Sequence, residues 1–189
     1  MKYDLIIKNV NAVLENEIKK SDIAVKGERT AGIYESGSQT DAAHIIDGSG
    51  KYLFPGGIDT HSHFFEPGPT YREDFYHGTQ AAAMGGFTTV MDMPNTDPPV
   101  DNDEHFQMKK KKFSENGHVD FVIWGAALPG KLNHIPRLKQ LGAVAFKAFT
   151  SYAGESYPYS KTIDILEGME KVKSAGGIYA VHAENENII

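Results

Sequence analysis

The sequence predicts an α/β protein in which a short all-β segment precedes parallel strands that alternate with helices. Its 189 residues, of which 40% are hydrophobic and 23% charged, suffice for one ordinary domain, or for a small domain and most of a second. Residues 1–54 consist of short apolar runs separated by turn formers, whereas strand-like and helix-like segments alternate in residues 55–189. This change of pattern predicts a domain boundary at Pro55-Gly56-Gly57.

The first region resembles a small sheet with tight turns. Gly27, Gly37 and the run Asp47–Gly50 separate its apolar segments. The strands that we predict here are Leu5–Ile7, Ala12–Leu14, Ile23–Val25, Ile45–Ile46 and Tyr52–Phe54. We interpret residues 1–54 as the N-terminal part of a small β-sandwich domain.

The second region contains strands and helices at intervals of roughly 25–35 residues, which is typical of βαβ units and a parallel sheet. The predicted strands are Gly57–His63, Phe87–Met91, Val119–Ala126, Ala143–Phe149 and Ile178–His182. The predicted helices are Arg72–Met84, Asp103–Glu115, Leu132–Leu141 and Lys161–Ser174. Left-handed C-caps are predicted at Gly85-Gly86, Gly117, Gly142 and Gly176-Gly177. An eight-stranded barrel takes about 250 residues, whereas an open doubly wound sheet could be complete in this length.

Composition excludes several classes of function. The net charge of −6 and the pI near 5.7 disfavour nucleic acid or an anionic membrane as the main partner. The basic run Lys109–Lys112 is interpreted as the solvated face of a helix, with contact to an anion as the alternative. Cysteine is absent, so any metal must be bound by histidine, carboxylate or a modified side chain. The N-terminal apolar run is too short for a signal peptide and no stretch is long enough to cross a membrane, so we expect a cytoplasmic protein.

Two histidines end the first strand of the second region. Side chains two apart in a strand share a face, so Asp59, His61 and His63 point the same way. Barrel active sites lie at the C-terminal ends of the strands, and two neutral imidazoles there suit zinc or another transition metal. The alternative is a pair of partly exposed histidines without a ligand.

Two further polar residues occupy comparable positions. Lys147 lies inside an otherwise apolar strand, where a neutral amine could react with carbon dioxide to form a carbamate that bridges two metals; otherwise it extends to the strand end. His182 ends the fifth strand, where a hydrogen-bonded histidine is the simpler interpretation. Because His61, His63, Lys147 and His182 all fall near C-terminal strand ends, we predict a barrel with a metal site.

Loops after these strands supply more polar groups. Glu66 follows the first strand, Asp92 and Asn95 follow the second, and Tyr152 follows the fourth. Each could instead cap a helix, form a turn or pack within its loop.

Ordered motifs along the whole chain resemble those of the cyclic amidohydrolases, which include dihydroorotase, allantoinase and dihydropyrimidinase or hydantoinase. The motifs are Asp59-x-His61-x-His63, Glu66-Pro67-Gly68, Gly85–Thr89, Met93–Thr96, Phe146–Phe149 and Val181–Glu184. The resemblance implies a (β/α)8 TIM-like barrel, with about five of its eight strands in residues 55–189. It also implies two divalent metal ions, zinc being the expected metal. His61 and His63 would bind the more buried ion, His182 the second, and carboxylated Lys147 both.

By the same resemblance, a hydroxide that bridges the metals attacks the carbonyl of a ring amide. Tyr152 matches the hydantoinase tyrosine five residues after the bridging lysine, and we expect it to donate a hydrogen bond to the oxyanion. A further histidine and a catalytic aspartate are expected beyond Ile189. We therefore expect this chain to be an N-terminal part, inactive alone, of a protein that is a homo-oligomer when full length.

The substrate expected from the resemblance is a small neutral cyclic ureide or imide of the allantoin, hydantoin or dihydropyrimidine type. Phe65 and Asn95 are the residues that we expect to contact the substrate. Dihydroorotases usually place an arginine at the position of Phe65, and phenylalanine cannot pair with a substrate carboxylate. Asn95 and the Glu66-Pro67-Gly68 turn favour the alternative, dihydroorotase. Two further alternatives are a non-catalytic scaffold like the dihydropyrimidinase-related proteins, and a complete open α/β binding protein.

Overall fold

A computed structural model describes residues 2–189 of the chain. It divides into two compact units, Met1–Pro55 and Gly56–Ile189. Within the described residues, none of the helices combines the length and the apolar character that a membrane crossing requires.

The described part of the first unit forms one mixed five-stranded sheet. Its strands are β1 (Tyr3–Val13), β2 (Ile18–Lys26), β3 (Arg29–Glu35), β4 (Ala42–Asp47) and β5 (Tyr52–Leu53). The order is β3-β2-β1-β4, and β5 also pairs with β1. β1–β2 and β2–β3 are antiparallel, whereas β4 and β5 lie parallel to β1. Because residues 2–55 contain no second layer, the predicted β-sandwich is not confirmed.

Two details of this sheet differ from the prediction. Leu5–Ile7 and Ala12–Leu14 belong almost entirely to one long strand, β1, whose register shifts between Ile7 and Val10. Asn9 lies at this irregularity with φ of 59°, a left-handed conformation that asparagine adopts more readily than most residues. The strand β3 was not predicted because it is polar and largely exposed, so it lacks an apolar run.

The second unit consists of parallel strands connected by helices. Its strands are β6 (Gly57–Ser62), β7 (Phe87–Asp92), β8 (Asp120–Ile123), β9 (Gly125–Ala126), β10 (Ala145–Phe149) and β11 (Ile178–His182). Its helices are α1 (Phe75–Met84), α2 (Asp103–Asn116), α3 (Ile135–Leu141) and α4 (Thr162–Ser174), with a 3-10 turn at Leu132–His134. All strand pairs in this unit are parallel. The α/β class is therefore confirmed.

The third predicted strand is interrupted at Trp124 and contributes to two sheets. Its first part, β8, pairs with β7 in the sheet β6-β7-β8, and its second part, β9, pairs with β10 in the sheet β11-β10-β9. The five predicted strands thus follow one another in chain order. Among the described residues β6 and β11 do not pair with each other, so the predicted barrel is not closed.

Local signals explain most of the helix ends. α1 begins at Phe75 rather than at Arg72, because the Asp74 side chain accepts a hydrogen bond from the His77 amide and caps the helix. Gly142 ends α3 with φ of 114°, as the C-cap prediction requires. At Gly117 that prediction is wrong, since φ is −78°. A Cβ there would lie 2.8 Å from the Phe113 carbonyl oxygen, so close approach explains this glycine.

We expect Gly142→Ala to destabilise the protein by about 1 kcal/mol, because alanine is strained at a positive φ. Urea denaturation of the protein expressed from its native gene (below, the native gene product) measures this change. Gln140→Ala, an exposed substitution in the same helix, is the matched control. Equal stability of the two variants would contradict the capping role.

The interpretation of Lys109–Lys112 as a solvated face is wrong for Lys109. This residue is completely buried and forms an ion pair with Asp92. The physical reason is its position on α2, since Phe106, Lys109 and Phe113 recur at helical spacing on the face that packs inward. Lys112 lies 3.4 Å from the Glu66 carboxylate, whereas Lys110 is exposed.

Candidate functional site

The imidazoles of His61, the penultimate residue of β6, and His63, the first residue after β6, lie close together. Their Nε2 atoms lie 3.2 Å apart. Burial lowers the pKa of His63 to about 4, and the nearby His61 and Lys147 add to this effect. Burial, with a smaller contribution from Lys147, also lowers the pKa of His61. Both rings are therefore neutral at neutral pH, which leaves a nitrogen lone pair on each for a ligand.

Lys147 occupies the middle of β10 and is only 4% exposed. Burial lowers the pKa of its amine and thereby favours the neutral, nucleophilic form. Within residues 2–189 the amine has no carboxylate partner, and it lies 4.9 Å from the centre of the Phe149 ring.

His182 ends β11 opposite Phe149, with which its ring stacks at 5.4 Å between centroids. Its Nε2 atom is 3.3 Å from the Glu184 carboxylate. It is close enough to His61 to disfavour protonation of that ring. His61 and His182 thus lie at the C-terminal ends of β6 and β11, His63 directly follows β6, and Lys147 lies in the middle of β10. The charge of Lys147 affects both His61 and His63.

The donor set fits a divalent cation in two respects. Two imidazole nitrogens that share a tetrahedral zinc ion at about 2.0–2.1 Å lie roughly 3.3 Å apart, close to the 3.2 Å between His61 and His63. The second respect is the buried, unpaired amine of Lys147, because carboxylation of this amine would provide an anionic donor. In the part of the chain that is described, no three His, Asp or Glu side chains could hold a cation by themselves. A metal here would therefore need a further donor, which a modified Lys147 could provide.

A cavity of about 700 Å³ opens beside His63. Phe65 and Asn95, both predicted to contact substrate, line it, as does Arg72. The Phe65 ring stacks on His63 at 6.1 Å and carries the Arg72 guanidinium at 4.0 Å from its centre. The buried Oδ1 atom of Asn95 has no hydrogen-bond partner of good geometry among the described residues. The cavity thus has an aromatic wall and a cationic donor, and the Asn95 side chain also acts on His63, where it favours the protonated ring.

Of the two tyrosines near the site, Tyr152 is the one predicted from the sequence. It is 66% exposed and does not line the cavity, and its amide donates to the Glu186 carboxylate. Tyr157 does line the cavity; it is buried, and its hydroxyl donates to the Lys147 carbonyl oxygen at 2.7 Å. Tyr157 therefore fixes the backbone that carries Lys147. Sequence reasoning missed both Tyr157 and Arg72, since each lies in a loop without a local pattern.

The chain is similar to curated enzymes and to solved enzyme structures. A curated allantoinase of Deinococcus radiodurans is 36% identical over 187 residues, which cover 98% of this chain and 42% of that protein. A curated dihydroorotase of Methanosarcina mazei is 32% identical, over 98% of this chain and 40% of that protein. The solved structure of L-hydantoinase (dihydropyrimidinase) from Arthrobacter aurescens matches with a TM-score of 0.92 and 32% identity, over 98% of this chain and 42% of that one.

The chain spans about two fifths of the length of these relatives. Residues 52–186, most of the second unit and the end of the first, match the sequence profile of the amidohydrolase family. The chain therefore belongs to the amidohydrolase family.

Proposed function

We propose that the native gene product hydrolyses a cyclic amide or ureide with the help of two divalent metal ions, zinc being the expected metal. The observation that carries the proposal is the pair of neutral imidazoles, 3.2 Å apart, near a buried lysine amine. The names of the similar proteins, allantoinase and L-hydantoinase, support ring opening as the reaction.

His61 and His63 would hold one ion through their facing Nε2 atoms, and His182 would contribute to the second. The neutral amine of Lys147 attacks carbon dioxide, a C–N bond forms as one C=O π bond breaks, and the nitrogen proton passes to solvent. The resulting carbamate would offer anionic oxygens as ligands for the two ions. Bound divalent cations lower the pKa of water and polarise a carbonyl group.

The remaining residues would position the ring. Phe65, which lines the cavity beside His63, offers an apolar contact to a flat ring. Asn95 lines the same cavity, and its side-chain amide can hydrogen-bond to a ring amide. Tyr152 is proposed to donate its hydroxyl to the oxyanion, which would require its exposed side chain to turn toward the cavity when substrate binds.

A neutral ring is the favoured substrate, because the cavity combines the donors of Arg72 with the carboxylate of Asp97. A ureide has both N–H donors and C=O acceptors, so it can use both groups. A second candidate, a carboxylate-bearing ring of the dihydroorotate type, is favoured by one observation. Although Phe65 replaces the arginine usual in dihydroorotases, the guanidinium of Arg72 lies against its ring in the same cavity.

A substrate panel on the native gene product separates the two candidates. We expect turnover of allantoin, hydantoin or dihydrouracil, and weak turnover of dihydroorotate. Arg72→Met should lower kcat/KM for dihydroorotate further, by about tenfold or more, because a charge-assisted hydrogen bond is worth about 1.5–3 kcal/mol. Lys110→Met, which removes an exposed positive charge elsewhere, is the matched control.

The panel also tests the alternatives. Efficient turnover of dihydroorotate alone, lost in Arg72→Met, would replace the first candidate by the second. A protein that opens none of the rings and purifies without stoichiometric metal would instead be a non-catalytic scaffold.

A further inference from the structure

We infer that Asp92, braced by Lys109, is a positioning residue that holds the backbone behind His63 and thereby sets the affinity of the site for its metal. The inference rests on the proposed metal centre. It concerns a buried ion pair that does not line the cavity.

The ion pair lies where β7 ends. Asp92 and Lys109 are both completely buried, and the Lys109 Nζ atom is 2.6 Å from Asp92 Oδ2. The same Nζ atom donates to the Met93 carbonyl oxygen at 2.6 Å. Lys109 thus fixes both the Asp92 side chain and the first peptide of the following loop from its position on α2.

The second oxygen of Asp92 reaches the neighbouring strand. Asp92 Oδ1 accepts a hydrogen bond from the Phe64 amide at 3.0 Å. That amide belongs to the peptide bond between His63 and Phe64. Asp92 therefore fixes the orientation of the peptide plane that directly follows His63. Two further bonds join the same strand ends: Ser62 donates to the Met91 carbonyl, and the Met93 amide donates to the Ser62 carbonyl.

Net stability does not explain the pair. Burial raises the pKa of Asp92 and lowers the pKa of Lys109, and their mutual attraction offsets only part of each shift. A buried pair of this kind contributes little compared with apolar side chains of similar volume. Its fixed distances, however, orient the His63 backbone. Groups that orient metal ligands typically change metal affinity by about 10–100-fold when they are removed.

Two double variants of the native gene product isolate this role. Asp92→Leu/Lys109→Met replaces the pair by apolar side chains and leaves the Phe64 amide without an acceptor. Asp92→Asn/Lys109→Met also removes both charges but keeps an Oδ1 acceptor in the same place. Zn²⁺ affinity is measured by competition with a chromophoric chelator, and the Tm of each metal-free protein is measured beside it.

We expect the Leu/Met variant to bind Zn²⁺ about 10–100-fold more weakly than wild type. Its metal-free Tm should fall by only several degrees, because one buried amide loses its acceptor. The Asn/Met variant should bind within a few-fold of wild type. Unchanged affinity in the Leu/Met variant would overturn the inference, and so would an equal loss in both variants, because the acceptor would then not matter. If the Leu/Met variant does not fold, the double variant Asp92→Ser/Lys109→Met replaces it in the same measurements. The serine hydroxyl is too short to reach the Phe64 amide, so the same results are expected. Wild type that binds no Zn²⁺ would refute the proposed metal centre itself, which is a separate result.

Discussion

Lys147→Ala in the native gene product is expected to lower turnover by about 10³-fold or more and to remove at least one metal ion per chain. The amine of Lys147 is buried and has no partner among the described residues, so the substitution costs no ion pair. What it removes is the proposed anionic bridge, and metal activation is worth several kcal/mol of transition-state stabilisation, or about 10³-fold in rate. Steady-state kinetics and elemental analysis of the purified protein measure the two losses.

Lys110→Ala is the matched control, since it removes a lysine that is exposed on α2. It should retain full metal content and turnover. Normal turnover of Lys147→Ala would rule out the bridging role of this lysine. Retention of both metal ions with reduced turnover would limit Lys147 to substrate positioning.

The residues of the candidate metal centre could be found in the sequence because each one interrupts a local pattern. His61 and His63 alternate at the end of an apolar strand, and Lys147 stands alone inside another. Parallel topology then brings the strand ends together without further information. The distance between the two imidazoles, by contrast, depends on the backbone after β6, which no sequence pattern describes.

Contacts made by loop residues explain what the sequence did not reveal. Tyr157 acts through the Lys147 carbonyl, ten residues earlier in the chain, and Arg72 is placed by the ring of Phe65. Lys109 is a different case, because helical periodicity does put it on the same face as Phe106 and Phe113. The run of four lysines favoured the interpretation that all four side chains lie on a solvated helix face, which the burial of Lys109 contradicts.

The single variant Lys109→Met is expected to destabilise the protein by about 3–5 kcal/mol at neutral pH, because it leaves the Asp92 carboxylate buried without a countercharge. The double variant Asp92→Leu/Lys109→Met should recover most of that loss, since it leaves no buried charge. Lys112→Met breaks the partly exposed pair with Glu66 and should cost less than about 1 kcal/mol. Urea denaturation of the three metal-free proteins measures these differences.

The pH dependence of Lys109→Met provides an independent check on its cause. Burial already raises the pKa of Asp92, and loss of Lys109 removes an opposing influence, so the folded variant binds this proton more tightly than the unfolded chain does. The free energy of unfolding therefore falls as pH rises from the unfolded pKa of aspartate toward the folded one. The deficit relative to wild type should shrink in acid, where Asp92 is protonated. A deficit independent of pH would mean that lost packing, and not the unpaired carboxylate, destabilises the variant.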